Sequence, residues 1–242
     1  MWMRLILLVG LVANLCSWGV AQQPVNGPLS RELNALSEQY AKRLPPAVWQ
    51  VMETGIAEVG QSDVMQQAKR TGDAAPDFML PSAQGPYVRL SERLAQGPVV
   101  LVWYRGGWCP YCNRQLAAWQ GMLHELNVAG GQLLALCPDL PDSTMSTAER
   151  QGLAFPVLSD TGSVVARSYG LVYTMPEAVA QLYKGMNLPA YTGHNRMELP
   201  LSATYLIDSQ GVIRYAHVEA DYRQRAEPDE VIRQLRQLLK TK

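Results

Sequence analysis

The sequence predicts a mixed α/β fold in which helices cover both faces of a central sheet. Two apolar runs, residues 98–103 and 132–137, have the length of buried strands, and a helical pattern follows the first. Residues 203–218 are a predicted hairpin, and a last helix follows them. Strands that alternate with helices pair in parallel and hairpins pair antiparallel, so we expect a mixed sheet.

The composition bears on the number of domains and on nucleic-acid binding. The chain has 242 residues, 48% of them apolar, and a formal net charge of zero. This length suits one domain with an extension, and the apolar share is ordinary for a full core. Because the sequence contains no basic run, we predict no nucleic-acid partner.

Residues 1–21 are predicted to be a signal peptide. Arg4 is their only charged residue, residues 5–12 form the apolar stretch, and small residues at 19–21 suit a cleavage site. An uncleaved anchor helix is the alternative, although the apolar run is short for a membrane span. We therefore predict a periplasmic or secreted protein, with no stable membrane insertion after cleavage.

Residues 22–71 are predicted to form a linker and a helical extension that precede the main domain, residues 72–242. Ser30 is the predicted cap of a first helix, which ends at the Pro45-Pro46 pair. A second helix is predicted from residue 47 to residue 59.

The main domain is predicted to contain a series of strands and helices. In order, these are a hairpin within 72–90, a short helix capped by Ser91, the strand 98–103, a helix over 113–127, the strand 132–137, a helix over 143–152 capped by Ser143, a strand at 155–159, a helix at 162–169, the hairpin 203–218 and a last helix from Pro228. The residues that this last helix is predicted to bury are Val231, Ile232, Leu235, Leu238 and Leu239. The irregular segment 171–200 is expected either to roof the functional site or to be a surface excursion.

The segment Trp108-Cys109-Pro110-Tyr111-Cys112 joins the first buried strand to the helix that follows it. Proline at the first helical position suits a helix start, so both sulfurs should lie near free backbone N–H groups and the positive end of the helix dipole. This environment favours thiolate over thiol. A thiolate in this position can attack a disulfide or the O–O bond of a peroxide.

A zinc site is the other chemistry that two such cysteines permit. A structural zinc ion needs about four ligands. The remaining candidates, Cys137, His124, His194 and His217, are scattered singly along the chain. We therefore predict a redox site with no metal and no cofactor.

From Ala75 to the C-terminus, the chain resembles the peroxiredoxin branch of the thioredoxin-like superfamily, the alkyl hydroperoxide reductase/thiol-specific antioxidant (AhpC/TSA) group. The segments that carry this resemblance are residues 75–78, 103–112, 137–139, 155–160 and 204–208 followed by Gly211. The resemblance implies a thioredoxin-like fold, a peroxide substrate and a thioredoxin-like dithiol protein as reductant. It does not cover the N-terminal helices.

The resemblance also implies roles for individual residues. By the family's spacing, Cys112 takes the peroxide-attacking position, Cys109 stands where a threonine is usual, and Arg105 stands where a proline is usual. Ser202 occupies the position of the family's arginine, which is also the position of the cis-proline in thioredoxin-like oxidoreductases. The Trp108–Cys112 segment by itself is similar to glutaredoxin and thioredoxin motifs, in which the first cysteine is the nucleophile.

Two enzymatic functions follow. In the first, a thiol peroxidase, Cys112 reduces hydrogen peroxide or an organic hydroperoxide and becomes a sulfenic acid, which condenses with Cys109 to a disulfide. In the second, an exported thiol–disulfide oxidoreductase, Cys109 attacks protein disulfides. A non-enzymatic binding or metal-carrying module is a third reading.

The supporting residues have open roles. Arg105 is the candidate cation that stabilises the thiolate and binds peroxide, with a surface ion pair as the alternative. Trp108 and Tyr111 are expected to shape access to the sulfurs. Cys137 is either a buried thiol or a redox relay. The oligomeric state is open, a homodimer included.

Overall fold

The computed structural model describes residues 26–240, so the predicted signal peptide lies outside the described residues. The helices are α1 (Pro28–Arg43), α2 (Pro46–Gln61), α3 (Val64–Gln67), α4 (Leu90–Leu94), α5 (Pro110–Gly121), α6 (Leu123–Val128), α7 (Pro141–Gln151), α8 (Val164–Ser168), α9 (Glu177–Lys184), α10 (Leu188–Thr192) and α11 (Pro228–Lys240). The strands are β1 (Met79–Ser82), β2 (Gly85–Arg89), β3 (Val99–Trp103), β4 (Gln132–Cys137), β5 (Val157–Ser159), β6 (Val172–Thr174), β7 (Glu198–Pro200), β8 (Ser202–Ile207) and β9 (Ile213–Glu219).

The central sheet is mixed, as predicted, with the strand order β2-β1-β5-β4-β3-β8-β9. Strand β3 pairs in parallel with β4 and antiparallel with β8. In the parallel pair Trp103 lies opposite Leu136, so both strands end at the same edge of the sheet. The segment after β3 and the segment after β4 are therefore neighbours at that edge.

Helices cover both faces of the sheet. On β3, Val100 and Val102 face a core that includes residues of α1, α5 and α11. Val99 and Leu101 face the opposite core, which includes residues of α2, α4 and α8. Because β3 is buried on both faces, its sequence is a continuous apolar run rather than an alternating one.

Two of the predicted helix caps are wrong because the capping groups come from distant parts of the chain. Helix α1 begins two residues before Ser30, and the Glu227 carboxylate accepts hydrogen bonds from the N–H groups of Ser30 (2.7 Å) and Leu29 (3.2 Å). Ser91 lies inside α4, where its N–H and hydroxyl donate to Asp77 (2.8 and 2.9 Å). Both termini are thus satisfied by tertiary contacts.

Three further details differ from the prediction. The long helix is divided at Met122, whose backbone (φ −102°, ψ 5°) separates α5 from α6. The predicted Ser143 cap is also wrong, because helix α7 begins at Pro141 and Ser143 lies inside it. On α11, Leu239 is 38% exposed instead of buried, because the final turn extends beyond the core that Val231 and Leu235 join.

The segment 171–200 is ordered into β6, α9, α10 and β7, and β6 pairs antiparallel with β7. Helix α9 packs against α2 of the N-terminal extension. A Cβ on Gly55 would lie 2.3 Å from a methyl group of Val179, so this crossing requires glycine. The predicted domain limit at residue 72 stays a prediction. Within residues 26–240, no helix is both long and apolar enough to span a membrane.

Candidate active site

The loop between β3 and α5 brings two sulfurs to the first turn of α5. Gly106 adopts φ 145°, and a Cβ there would lie 2.2 Å from the Trp108 indole nitrogen, so the turn requires glycine. Cys109 is the N-cap residue of α5, and Pro110 follows it. The backbone N–H of Arg105 donates to Cys112 Sγ (3.4 Å).

Arg105 is a buried cation held by aromatic rings. Its Nη2 donates to Tyr183 Oη (2.9 Å), and its Nη1 lies 4.0 Å from Cys109 Sγ. The guanidinium carbon lies 4.2 Å from the ring centroid of Tyr222 and 5.0 Å from that of Trp108. Its side chain is 3% exposed and forms no ion pair with a carboxylate in the described part of the chain. The nearby thiolate is therefore its natural counter-charge.

Arg225, in the loop after β9, is a second buried cation that the sequence analysis missed. Its Nη2 donates to Cys112 Sγ (3.4 Å), while its buried Nε has no partner among the described residues. Ser202, at the position where the family resemblance implies an arginine, begins β8, and its buried hydroxyl has no hydrogen-bond partner within residues 26–240. The second cation thus comes from a different part of the chain.

The two thiols differ in acidity. Burial raises the pKa of Cys109, but a hydrogen bond from the Cys112 thiol and the charges of Arg105 and Arg225 outweigh it and lower that pKa to about 5. Burial and the neighbouring Cys109 raise the pKa of Cys112 well above its ordinary value. The arrangement therefore supports one thiolate, on Cys109, with a thiol behind it.

Asp139, which follows β4, holds the loop from the other side. Its Oδ2 accepts a hydrogen bond from the Gly107 N–H (3.0 Å). The Trp108 indole N–H lies near the carboxylate but forms no hydrogen bond with it. Burial raises the pKa of this carboxyl to about 7.

Cys137, at the end of β4, is fully buried, and its thiol is free. Burial and the Asp139 carboxylate raise its pKa well above the ordinary value. Its environment therefore favours an inert thiol, and the redox-relay hypothesis stays untested. Nowhere in residues 26–240 do three or more His, Cys, Asp or Glu side chains form a group that could hold a metal ion.

A narrow cleft leads towards Arg105. One wall is the apolar face of α2, with Met52, Ile56 and Val59. The other walls come from β6, from α9 with the residue before it, and from the loop after β9, and their residues are Tyr173, Pro176, Val179, Ala220 and Tyr222. Segment 171–200 therefore roofs Arg105, and the N-terminal extension forms the facing wall.

Tyr111 lies away from the cleft and packs between Tyr40 of α1 and Tyr222. It thus supports the ring nearest Arg105. Both cysteines are almost completely enclosed, with Cys109 1% exposed and Cys112 0%.

Comparisons with known proteins identify the family and the fold of the chain. The AhpC/TSA family profile matches residues 71–216. Peroxiredoxin Bcp of Escherichia coli K12 is 29% identical over 169 residues, which are 69% of this chain and 96% of that protein. A putative peroxiredoxin of Mycobacterium tuberculosis is 32% identical over 99 residues, 41% of this chain, and the match spans 62% of that relative's length.

Two other similarities bear on fold and chemistry. The thiol–disulfide oxidoreductase ResA of Halalkalibacterium halodurans is 27% identical over 125 residues, 51% of this chain and 69% of that protein. The crystal structure of peroxidoxin BcpB from Mycobacterium tuberculosis superposes with a TM-score of 0.55 at 23% identity, covering 70% of this chain and 97% of that one. The thioredoxin-like fold implied by the sequence resemblance is thus confirmed.

Proposed function

Because the chain belongs to the AhpC/TSA family, we propose that it is a thiol peroxidase that reduces hydrogen peroxide or organic hydroperoxides. The observation that carries this proposal is a buried pair of thiols, each with its own buried guanidinium: Arg105 Nη1 lies 4.0 Å from Cys109 Sγ, and Arg225 Nη2 lies 3.4 Å from Cys112 Sγ. Neither guanidinium pairs with a carboxylate among the described residues. Such a site stabilises a thiolate and offers free N–H donors to peroxide oxygens.

The proposed reaction has three steps. The Cys109 thiolate attacks the terminal oxygen of ROOH; an S–O bond forms, the O–O bond breaks, and the departing RO⁻ takes a proton from water to leave as ROH. The Cys112 thiol then condenses with the Cys109 sulfenic acid to a disulfide and releases water. A thioredoxin-like dithiol protein reduces the disulfide by thiol–disulfide exchange.

This proposal reverses the roles that the family's spacing implied for the two cysteines. The prediction that Cys112 attacks is untested; the lowered pKa of Cys109 and the raised pKa of Cys112 favour Cys109. Arg105 is proposed to hold the peroxide, since its Nε is buried and without a partner among the described residues.

Stopped-flow tryptophan fluorescence after one equivalent of peroxide tests the assignment, because Trp108 adjoins the thiols. We expect a fast phase in wild type and in Cys112→Ser, and none in Cys109→Ser. The opposite pattern would return the attacking role to Cys112. A wild type that reacts no faster than a free thiol would remove the peroxidase proposal altogether.

A thiol–disulfide oxidoreductase is the second candidate, supported by the N-cap position of Cys109 and by the similarity to ResA. Reduction of a disulfide-bonded protein such as insulin, at a rate above that of a free dithiol, would favour this candidate. Cell fractionation would test the proposed periplasmic or secreted location.

A further inference from the structure

We propose that helix α1 is part of the thiol site: through the buried carboxylate of Glu227 it holds Arg225 against Cys112. Glu227 is thus a positioning residue. The inference deepens the proposed function, since it concerns how the chain stabilises the thiolate that the peroxidase would use.

Glu227 joins α1 to the loop that carries Arg225. Its two carboxylate oxygens accept the N–H groups of Leu29 and Ser30, and the side chain is 5% exposed. No cation pairs with this carboxylate in the described residues, so the first turn of α1 is its main source of stabilisation.

The same short segment reaches the sulfur. Only Ala226, itself 0% exposed, separates Glu227 from Arg225, whose Nη2 lies 3.4 Å from Cys112 Sγ. Glu227 also directly precedes α11, and its carbonyl accepts the Val231 N–H of that helix (3.2 Å). The segment 225–227 is fixed at one end by the hydrogen bonds of Glu227 to α1 and at the other by the contact of Arg225 with Cys112. Arg225 therefore has little freedom to move.

Helix α1 is tightly fitted at this joint. A Cβ on Gly27 would lie 2.1 Å from the Glu227 carboxyl carbon, so any side chain there must displace that carboxylate. Leu29 and Leu33 pack in the same core as Cys109 and Cys112. The extension can therefore be perturbed from its own side without touching a sulfur.

The other groups that influence the two thiols lie on several elements and are left unchanged by this test. Those that act on a thiol directly are Arg105 in the β3–α5 loop, Tyr104 after β3, Tyr111 on α5, Asp139 after β4, Tyr173 on β6 and Tyr222 after β9. Tyr183 on α9 acts on Arg105, and His217 and Glu219 on β9 act on Arg225.

The experiment is a pH titration of thiolate absorbance in the full chain, with Cys109→Ser as the blank, for wild type, Glu227→Ala and Gly27→Ala. Each variant should move the midpoint upward by about one pH unit, because both release the same cation from the sulfurs. The double variant should show no further shift, since the two changes break one joint. Asp208→Ala is the control: this carboxylate is 1% exposed and accepts two backbone N–H groups in the β8–β9 turn, and it also pairs with Arg214 (2.6 Å).

An unmoved midpoint in Gly27→Ala and Glu227→Ala, with a midpoint raised in Arg225→Met, would overturn the inference. Equal shifts in Asp208→Ala would overturn it too, since they would report general loss of stability. Glu227→Gln, which keeps one accepting oxygen but sets an NH2 group against the other N–H, serves if the alanine variant does not fold. The titration uses no peroxide, so failure of the peroxidase proposal would appear separately, in the stopped-flow measurement.

Discussion

Replacing Arg105 by methionine should raise the pKa of the Cys109 thiol. The two groups are 4.0 Å apart, and Arg105 is 3% exposed. At an effective dielectric constant of about 20, opposite charges at this distance attract by about 4 kcal/mol. That is an upper limit of about 3 pKa units, and ion pairs of this kind shift a pKa by about 1 to 3 units.

The effect on rate follows from the fraction of thiolate. Starting from a pKa of about 5, the variant should titrate between about 6 and 8. At about pH 6 the wild type is then about 90% ionised and the variant between about 50% and 1%, so the peroxide reaction should slow by about 2- to 90-fold. Above about pH 9 the Cys109 thiol is ionised in the wild type and in the variant, so the rate difference that comes from the fraction of thiolate should vanish.

Stopped-flow rates across this pH range give both contributions of Arg105. The difference that disappears at high pH measures thiolate stabilisation, and the difference that persists measures peroxide binding. Arg167→Met, which removes a surface arginine paired with Glu198, is the matched control and should leave the profile unchanged. A rate ratio that is constant with pH, with an unmoved midpoint, would refute the electrostatic argument.

Three further outcomes are expected. Tyr183→Phe removes the hydrogen bond to Arg105 and should lower the peroxide rate constant by about 10-fold in stopped flow, with the fold intact by circular dichroism. Folding raises the pKa of the Asp139 carboxyl to about 7, so the ionised carboxylate destabilises the folded protein increasingly as pH rises above the pKa of the unfolded state. Asp139→Asn should therefore increase the free energy of unfolding in urea by up to about 4 kcal/mol above about pH 7, and hardly at about pH 4. Gly55→Val should cost about 1 to 3 kcal/mol in thermal unfolding, because a Cβ there meets α9 at 2.3 Å, whereas Gly60→Val on the same helix meets only an ordinary contact at 3.7 Å.

The elements that sequence reasoning predicted well are those fixed by neighbouring residues. Strands β3 and β4 are apolar runs because both faces of the sheet are covered, and Pro110 marks the start of α5 through its own backbone geometry. The cysteine pair could therefore be placed at a strand-to-helix turn from the sequence alone.

The electrostatics of the site could not be predicted because its partners meet only in the folded chain. Arg225 contacts a sulfur 113 positions away, and Glu227 caps a helix 198 positions away. Along the sequence, Arg223-Gln224-Arg225 resembles any polar loop before a helix. Only one of its arginines turns inward; Arg223 pairs with Glu53 and Asp221 instead.

The two buried guanidinium groups also determine how strongly the disulfide form oxidises its reductant. Oxidation of Cys109 and Cys112 removes the thiolate and leaves both cations without a counter-charge, so the site favours the reduced state. A pKa of about 5 instead of 9 stabilises the reduced pair at about pH 7 by about 3 kcal/mol, which raises the reduction potential by about 60 mV. In the proposed cycle, the charges that stabilise the thiolate for its attack on peroxide thus also make the resulting disulfide easier to reduce, so the same two arginines would favour both half-reactions.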